Sequence, residues 1–128
     1  MIYLDSCLVI YAVEDRGARG DTVRRLLARD ELFAVSPLVH LECLVGPMRR
    51  RDIDIEDRYR AALELFQQVD LERAVFQRAA RLRAATGMKT PDALHVAAAQ
   101  VHGCDALWTN DDRLTAASRG FAVGILNS

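Results

Sequence analysis

Four carboxylates stand where they could do chemistry: Asp5 in "YLDSC", Glu42 in "LVHLECLVG", Asp92 in "TPDALHVAAAQVHG" and Asp111 in "LWTNDDRL". Acids brought together in a fold hold hard cations, and an all-oxygen ligand set selects Mg²⁺, with Mn²⁺ as its natural substitute. Three of the four also have a plainer reading. Asp5, Asp92 and Asp111 fall at expected helix starts, where a carboxylate caps amides and complements the dipole for roughly 0.5–2 kcal/mol. Glu42 does not fit that reading. It sits among Leu38, Val39, Leu41, Cys43, Leu44 and Val45, too far into its helix to cap. A charge amid such neighbours is costly unless it is paired or coordinates a metal. The remaining alternative is a lone solvent-facing residue on a buried helix, and pattern alone leaves both open. If all four converge, each close pair repels by about 3 kcal/mol at ~5 Å and an effective dielectric near 20, which a bound cation would offset.

Other constellations are weaker. His40, His95 and His102 with Cys7, Cys43 and Cys104 show no C-x₂-C or H-x₃-H spacing, so zinc is set aside. His95 lies one helical step after Asp92 and reads as a hydrogen-bond neighbour or core-edge residue, not a ligand. The cysteines read as small buried fillers. A phosphotransfer enzyme with Asp5 as nucleophile, in its phosphatase form, wants a second acid at position 7, where Cys7 stands. A non-catalytic, metal-binding α/β module would leave the acids as caps, and Glu42 speaks against it. Arg49, Arg50 and Arg51 form a basic run that reads as a solvated loop in preference to a rim contact for a nucleic acid.

The elements that must position these residues alternate. "IYLD" reads as a buried strand and "SCLVIYAVE" as a helix capped by Asp5 or Ser6. "DTVRRLLARDE" is amphipathic, and "LFAVS" is a second strand. Ser36-Pro37 starts a helix that contains Glu42 and ends near Gly46-Pro47. "MRRRDIDIEDR" is a connection or the start of a helix. "DRYRAALELFQQ" and "ERAVFQRAARLRAATG" each gather their apolar residues on one face, the second stopping at Gly87. A helix from a Thr90 cap to Gly103 carries Asp92. "ALWT" is a third strand, "DDRLTAASRG" a short helix and "FAVGIL" a last strand. Strands alternating with helices predict an α/β fold, a parallel sheet of four to five short strands with helices on both faces. Ligands in such sheets bind beyond the carboxyl ends of the strands, where Asp5 and Asp111 fall.

Size and composition agree. The 128 residues suffice for one domain, 1–128, with a core of its own, and 51% hydrophobic residues exclude a disordered chain. Seventeen basic against 18 acidic residues give a net charge of −1, which says nothing for or against nucleic acid. The opening segment has no basic leader, no run reaches the ~20 apolar residues of a membrane span, and three cysteines suit a reducing compartment. A cytoplasmic protein with no membrane role is expected.

"YLDSCLVIYAV", "SPLVHLECLVGP", "TPDALHVAAAQVHG" and "LWTNDDRL" occur in the order and setting of the four motifs of PIN-domain ribonucleases. The chain looks most like the VapC toxins of bacterial toxin–antitoxin pairs, over Ile2 to Ala122. The resemblance implies a PIN-like fold and a metal-dependent endoribonuclease cutting single-stranded or looped RNA to leave a 5′-phosphate. It places the acidic, metal-holding cluster on Asp5, Glu42, Asp92 and Asp111, with Ser6 and Thr109 at accessory polar positions. It also implies Mg²⁺, a homodimer and a VapB-like antitoxin whose tail covers the acidic pocket with a cationic group. Three residues depart from the family pattern: Cys7 replaces a polar residue, Leu114 a commoner Phe, and Asp112 beside Asp111 shares the claim to the fourth acid.

Overall fold

The strands are short and the sheet is nonetheless parallel throughout, because every connection between neighbours is a helical crossover. A computed structural model describes residues 1–126. Its elements are β1 (Ile2–Leu4), α1 (Ser6–Glu14), α2 (Ala18–Leu27), β2 (Phe33–Val35), α3 (Pro37–Arg50), α4 (Ile53–Glu64), β3 (Gln67–Gln68), α5 (Arg73–Thr86), α6 (Thr90–Val101), β4 (Ala106–Thr109), α7 (Asp112–Ala117) and β5 (Ala122–Gly124). The sheet order is β3-β2-β1-β4-β5, with Ile2 opposite Phe33, Leu4 opposite Trp108 and Thr109 opposite Gly124.

That order places the site. From β1 the chain moves outward through β2 to β3, then returns across the sheet to β4 and continues to β5. Right-handed crossovers therefore put α1–α4 on one face and α5–α7 on the other. In keeping with this, α1 packs with α2, α3 and α4, while α5 packs with α6. The reversal falls between β1 and β4, and the crevice beyond their carboxyl ends is where α/β folds bind ligands.

The core fills both faces of β1. Tyr3, Leu4, Leu8, Val35, Val39, Leu63, Val96 and Leu107 are fully buried. In α6 the seven residues Ala93 to Ala99 are all buried. A helix apolar all round belongs inside, and its alanines let α5 and β4 approach closely. Leu114 is also buried, as expected of a core substitution. Among the described residues no helix is long and apolar enough to cross a membrane.

The structure corrects several sequence expectations. The Glu42 helix does not stop at Gly46-Pro47: α3 carries Pro47 inside it and runs to Arg50, with Arg51 left-handed at φ 54°. Arg49 and Arg50 therefore form its last turn, where cations suit the dipole, and Arg50 pairs with Glu14 at 3.0 Å. The basic run is a helix end, not a loop. The cap position of α6 is Lys89, one residue before Thr90, and no side chain there bonds the helix amides. Beyond α6, Gly103 turns the chain at φ 72°, a conformation that suits glycine. A fifth strand, β3, went unread: it is two exposed glutamines joined to β2 by backbone pairing alone.

Candidate active site

Asp5 ends β1 and opens α1 in extended backbone, yet its carboxylate makes no cap bond. Instead Oδ2 accepts a 2.6 Å hydrogen bond from the hydroxyl of Thr109, which is completely buried at the end of β4. The Thr109 oxygen in turn accepts from the Asp111 backbone N–H at 3.0 Å. Thr109 thus ties the two strands flanking the crevice together and aims Asp5 out of them.

Glu42 arrives from α3, half-buried, and faces α6. Its Oε1 lies 2.6 Å from Nε2 of His95, a residue only 1% exposed. On the other side of the ring, Nδ1 lies 2.8 Å from the Tyr3 hydroxyl, which lies 2.7 Å from Ser36 Oγ. Ser36 holds the cap position of α3, but its hydroxyl joins this buried network and leaves the helix uncapped by a side chain. Burial works against ionisation of Glu42. The His95 bond and charge, with help from the Ser6 hydroxyl, outweigh it and hold the carboxyl below its ordinary range. Glu42 is therefore not a lone solvent-facing acid. One ligand atom each from Asp5, Glu42 and His95 falls within 4.8 Å of the others, and His95 Nε2 is 4.0 Å from Asp5 Oδ1.

The other two acids sit differently. Asp92 lies in the first turn of α6 without capping it. Its carboxyl is pushed up by partial burial first, then by the negative charges of Asp111, Asp5 and Glu42, against a smaller pull from His95. Asp111 does cap: Oδ1 accepts from the N–H groups of Arg113 and Leu114 at 2.9 and 3.4 Å. Asp112, its neighbour, begins α7. Asp5, Asp92, Asn110, Asp111, Asp112 and Arg113 line an open cleft of about 500 Å³ at the switch point. Asp92 and Asp111 thus share the cleft with Asp5 but lie outside the tight Asp5–Glu42–His95 group.

No thiol is poised to react. Burial, with the charge of Asp5, pushes Cys7 up to about 12, and burial with Glu42 does the same for Cys43. Nor does a zinc set assemble from the histidines. His40 bonds the Gln68 side chain, and His102 bonds the Asp70 carbonyl and lies 2.9 Å from Glu72. Tyr3 and Ser36 were missed in the sequence, where a strand tyrosine and a helix-start serine carry no sign of joining a site.

The donor set fits a hard divalent ion. Among the described residues no arginine or lysine forms an ion pair with Asp5, Glu42, Asp92 or Asp111. The Asp92 carboxyl is raised by partial burial and, after it, by the negative charges of Asp111, Asp5 and Glu42, which exceed the smaller pull of His95. Oxygen donors in a shallow, polar cleft suit Mg²⁺ or Mn²⁺ better than softer metals.

No curated protein sequence matches the chain. Among solved structures it is similar to a toxin–antitoxin complex from Klebsiella pneumoniae, 26% identical, with a TM-score of 0.80 and 96% of each chain covered. A sarcin–ricin-loop-cleaving toxin of Mycobacterium tuberculosis has the same fold at 19% identity, with a TM-score of 0.78 and coverage of 97% of this chain and 98% of that one. So does VapBC2 of Rickettsia felis, solved bound to a DNA fragment from its promoter, at 18% identity, a TM-score of 0.72 and 96% and 98% coverage. The sequence profile of the PIN domain matches residues 2–120. With acids gathered at the β1–β4 switch point and that match over nearly its whole length, the chain belongs to the PIN domain family.

Proposed function

We propose that this chain, working as one domain over residues 1–128, is a Mg²⁺-dependent endoribonuclease and the toxin of a toxin–antitoxin pair. The observation that carries the reading is the acidic cleft: Asp5 fixed by Thr109, Glu42 fixed by His95, and Asp92 raised by burial and by its neighbours' charges, with no arginine or lysine ion-paired to them among the described residues. Asp5 and Glu42 would hold the ion, Asp92 would close its shell, and Asp111, one oxygen committed to α7, would complete a second site or orient water. When bound, Mg²⁺ supplies charge neutralisation at the phosphate and an activated water. The chain's own residues hold that centre in an open cleft that admits a single strand or loop. Ser6 and Thr109 fix the first-named acids.

The partners follow from the same surface. The structural likeness to the Klebsiella toxin–antitoxin complex supports an antitoxin partner, which we take to be VapB-like; the acidic cleft is the reason to expect it to present a cationic group there. Leu41, Val45 and Met48, at i, i+4 and i+7 of α3, form an exposed apolar stripe suited to a homodimer. We place the chain and its RNA substrate in the cytoplasm.

The test is cleavage of RNA by purified protein with Mg²⁺, with EDTA, and after Asp5→Asn. Cleavage should require the ion and fall by orders of magnitude in the variant while its melting temperature is kept. Cleavage that persists in EDTA, or in a folded Asp5→Asn protein, would remove the reading.

A further inference from the structure

We propose that His95 is a positioning residue for Glu42, locking one of its oxygens by a hydrogen bond so that the other is presented to the divalent ion. The inference rests on the metal-dependent reading above and concerns how this chain prepares for the ion.

Three observations carry it. The first is the 2.6 Å separation between His95 Nε2 and Glu42 Oε1. Two adjacent ligands on an octahedral ion with bonds near 2.1 Å lie about 3.0 Å apart, so this pair is bonded to each other and does not share a metal. A carboxylate can only accept, which puts a proton on Nε2 and occupies that nitrogen. The second is anchorage. The ring is buried, and Nδ1 meets the Tyr3 hydroxyl at 2.8 Å, with Ser36 Oγ 2.7 Å beyond it. The line Ser36–Tyr3–His95–Glu42 runs from the start of α3, through the central strand, across α6 and back to α3, so the ring cannot turn away. The third is what Glu42 would otherwise be: a long side chain, 29% exposed, on a helix surface. Left alone it would sample several rotamers and lose them on ion binding. Held by His95, it loses them on folding, and the site meets the ion already arranged.

The amide isosteres of histidine separate this role from the alternatives. His95→Gln can place an N–H donor near the Nε2 position and keep the bond to Glu42. His95→Asn reaches only the Nδ1 position, keeping contact with Tyr3 and losing Glu42. Binding of Mn²⁺ alone, by electron paramagnetic resonance or calorimetry, is measured on wild type and both variants, with thermal melts to show that they fold. His95→Asn should bind roughly tenfold or more weakly, the usual loss for outer-shell partners, and His95→Gln should return close to wild type. Tyr3→Phe keeps core volume, removes the anchor, and should lower affinity by a smaller factor. It carries the test if His95→Asn does not hold its fold, and unchanged affinity there overturns the proposal. Wild-type affinity in His95→Asn overturns it too. His95→Gln falling as far as His95→Asn overturns it in favour of direct ligation by the ring. A wild type that takes up no Mn²⁺ overturns the metal reading itself, and this inference with it.

Discussion

The two halves of the acidic site are built on opposite terms. On one side Asp5 and Glu42 are each gripped by a buried donor, Thr109 and His95. On the other, Asp92 is raised by burial first and then by the charges of Asp111, Asp5 and Glu42, where the Glu42 carboxyl is lowered. One half is settled before any ion arrives. The other is held in repulsion by the packing of α6, and it gains most when positive charge enters. Preorganisation and stored repulsion are separate devices, and here they face each other across one cleft.

Removing the repelled charge is the strongest way to break that contrast. Asp92→Asn should stabilise the metal-free protein, and it should lose most of the stabilisation that Mg²⁺ gives wild type. If wild type binds Mg²⁺ as proposed, that gain should be about 2.7 kcal/mol at a hundredfold excess over the dissociation constant. Melting temperatures of both proteins, in EDTA and in Mg²⁺, provide the comparison. Equal gains would make Asp92 a structural acid and leave the contrast without a metal.

A pH series in EDTA sharpens the same contrast with a smaller effect. The lowered Glu42 carboxyl contributes stability that is present above its ordinary value of 4.5 and lost as pH falls through its lower folded value. Asp92 has the reverse sign. Its raised carboxyl favours the fold below its ordinary 3.8, and that contribution is lost as pH rises through the higher folded value. Urea midpoints should therefore show Glu42→Gln destabilising near neutrality and converging on wild type in acid. Asp92→Asn should show its benefit near neutrality and lose it in acid. Parallel curves for the two variants would erase the distinction.

The smallest expected effect is none. Cys7 and Cys43 flank the settled half and Cys104 lies apart, all three free. Replacing them together by alanine or serine should leave RNA cleavage largely intact, since burial keeps the two nearest thiols protonated. A folded, metal-binding variant without activity would put a thiol into the chemistry.

How much of this was legible varies with how local the signal is. The strand–helix alternation, the places of Asp5, Asp92 and Asp111 at element starts, and the apolar neighbours of Glu42 are all written in short windows, so the α/β sheet and the four candidate acids could be read. Strand β3 could not, because Gln67 and Gln68 are both exposed, and their backbone pairing with Ala34 and Val35 leaves no apolar pattern in the sequence. The true end of α3 was hidden by Pro47, which marks a stop in most helices and is tolerated inside this one. The His95–Glu42 bond spans 53 positions, and no periodicity on either helix encodes it. Asp111 was legible both ways, as cap and as cleft acid, and the structure makes it both.

The placement of β1 in the middle of the sheet has a consequence for timing. Its neighbour β4 comes about a hundred residues later, and the Asp5–Thr109 bond joins positions 104 apart. Such a pairing must close a long loop before any contact rewards it, which slows folding and makes it late. A chain emerging from the ribosome can form α1 and α2 early, but it has no partner for Asp5 until β4 exists. Growing chains therefore lack the assembled acidic centre, and any nuclease activity would wait until β4 has been made and paired.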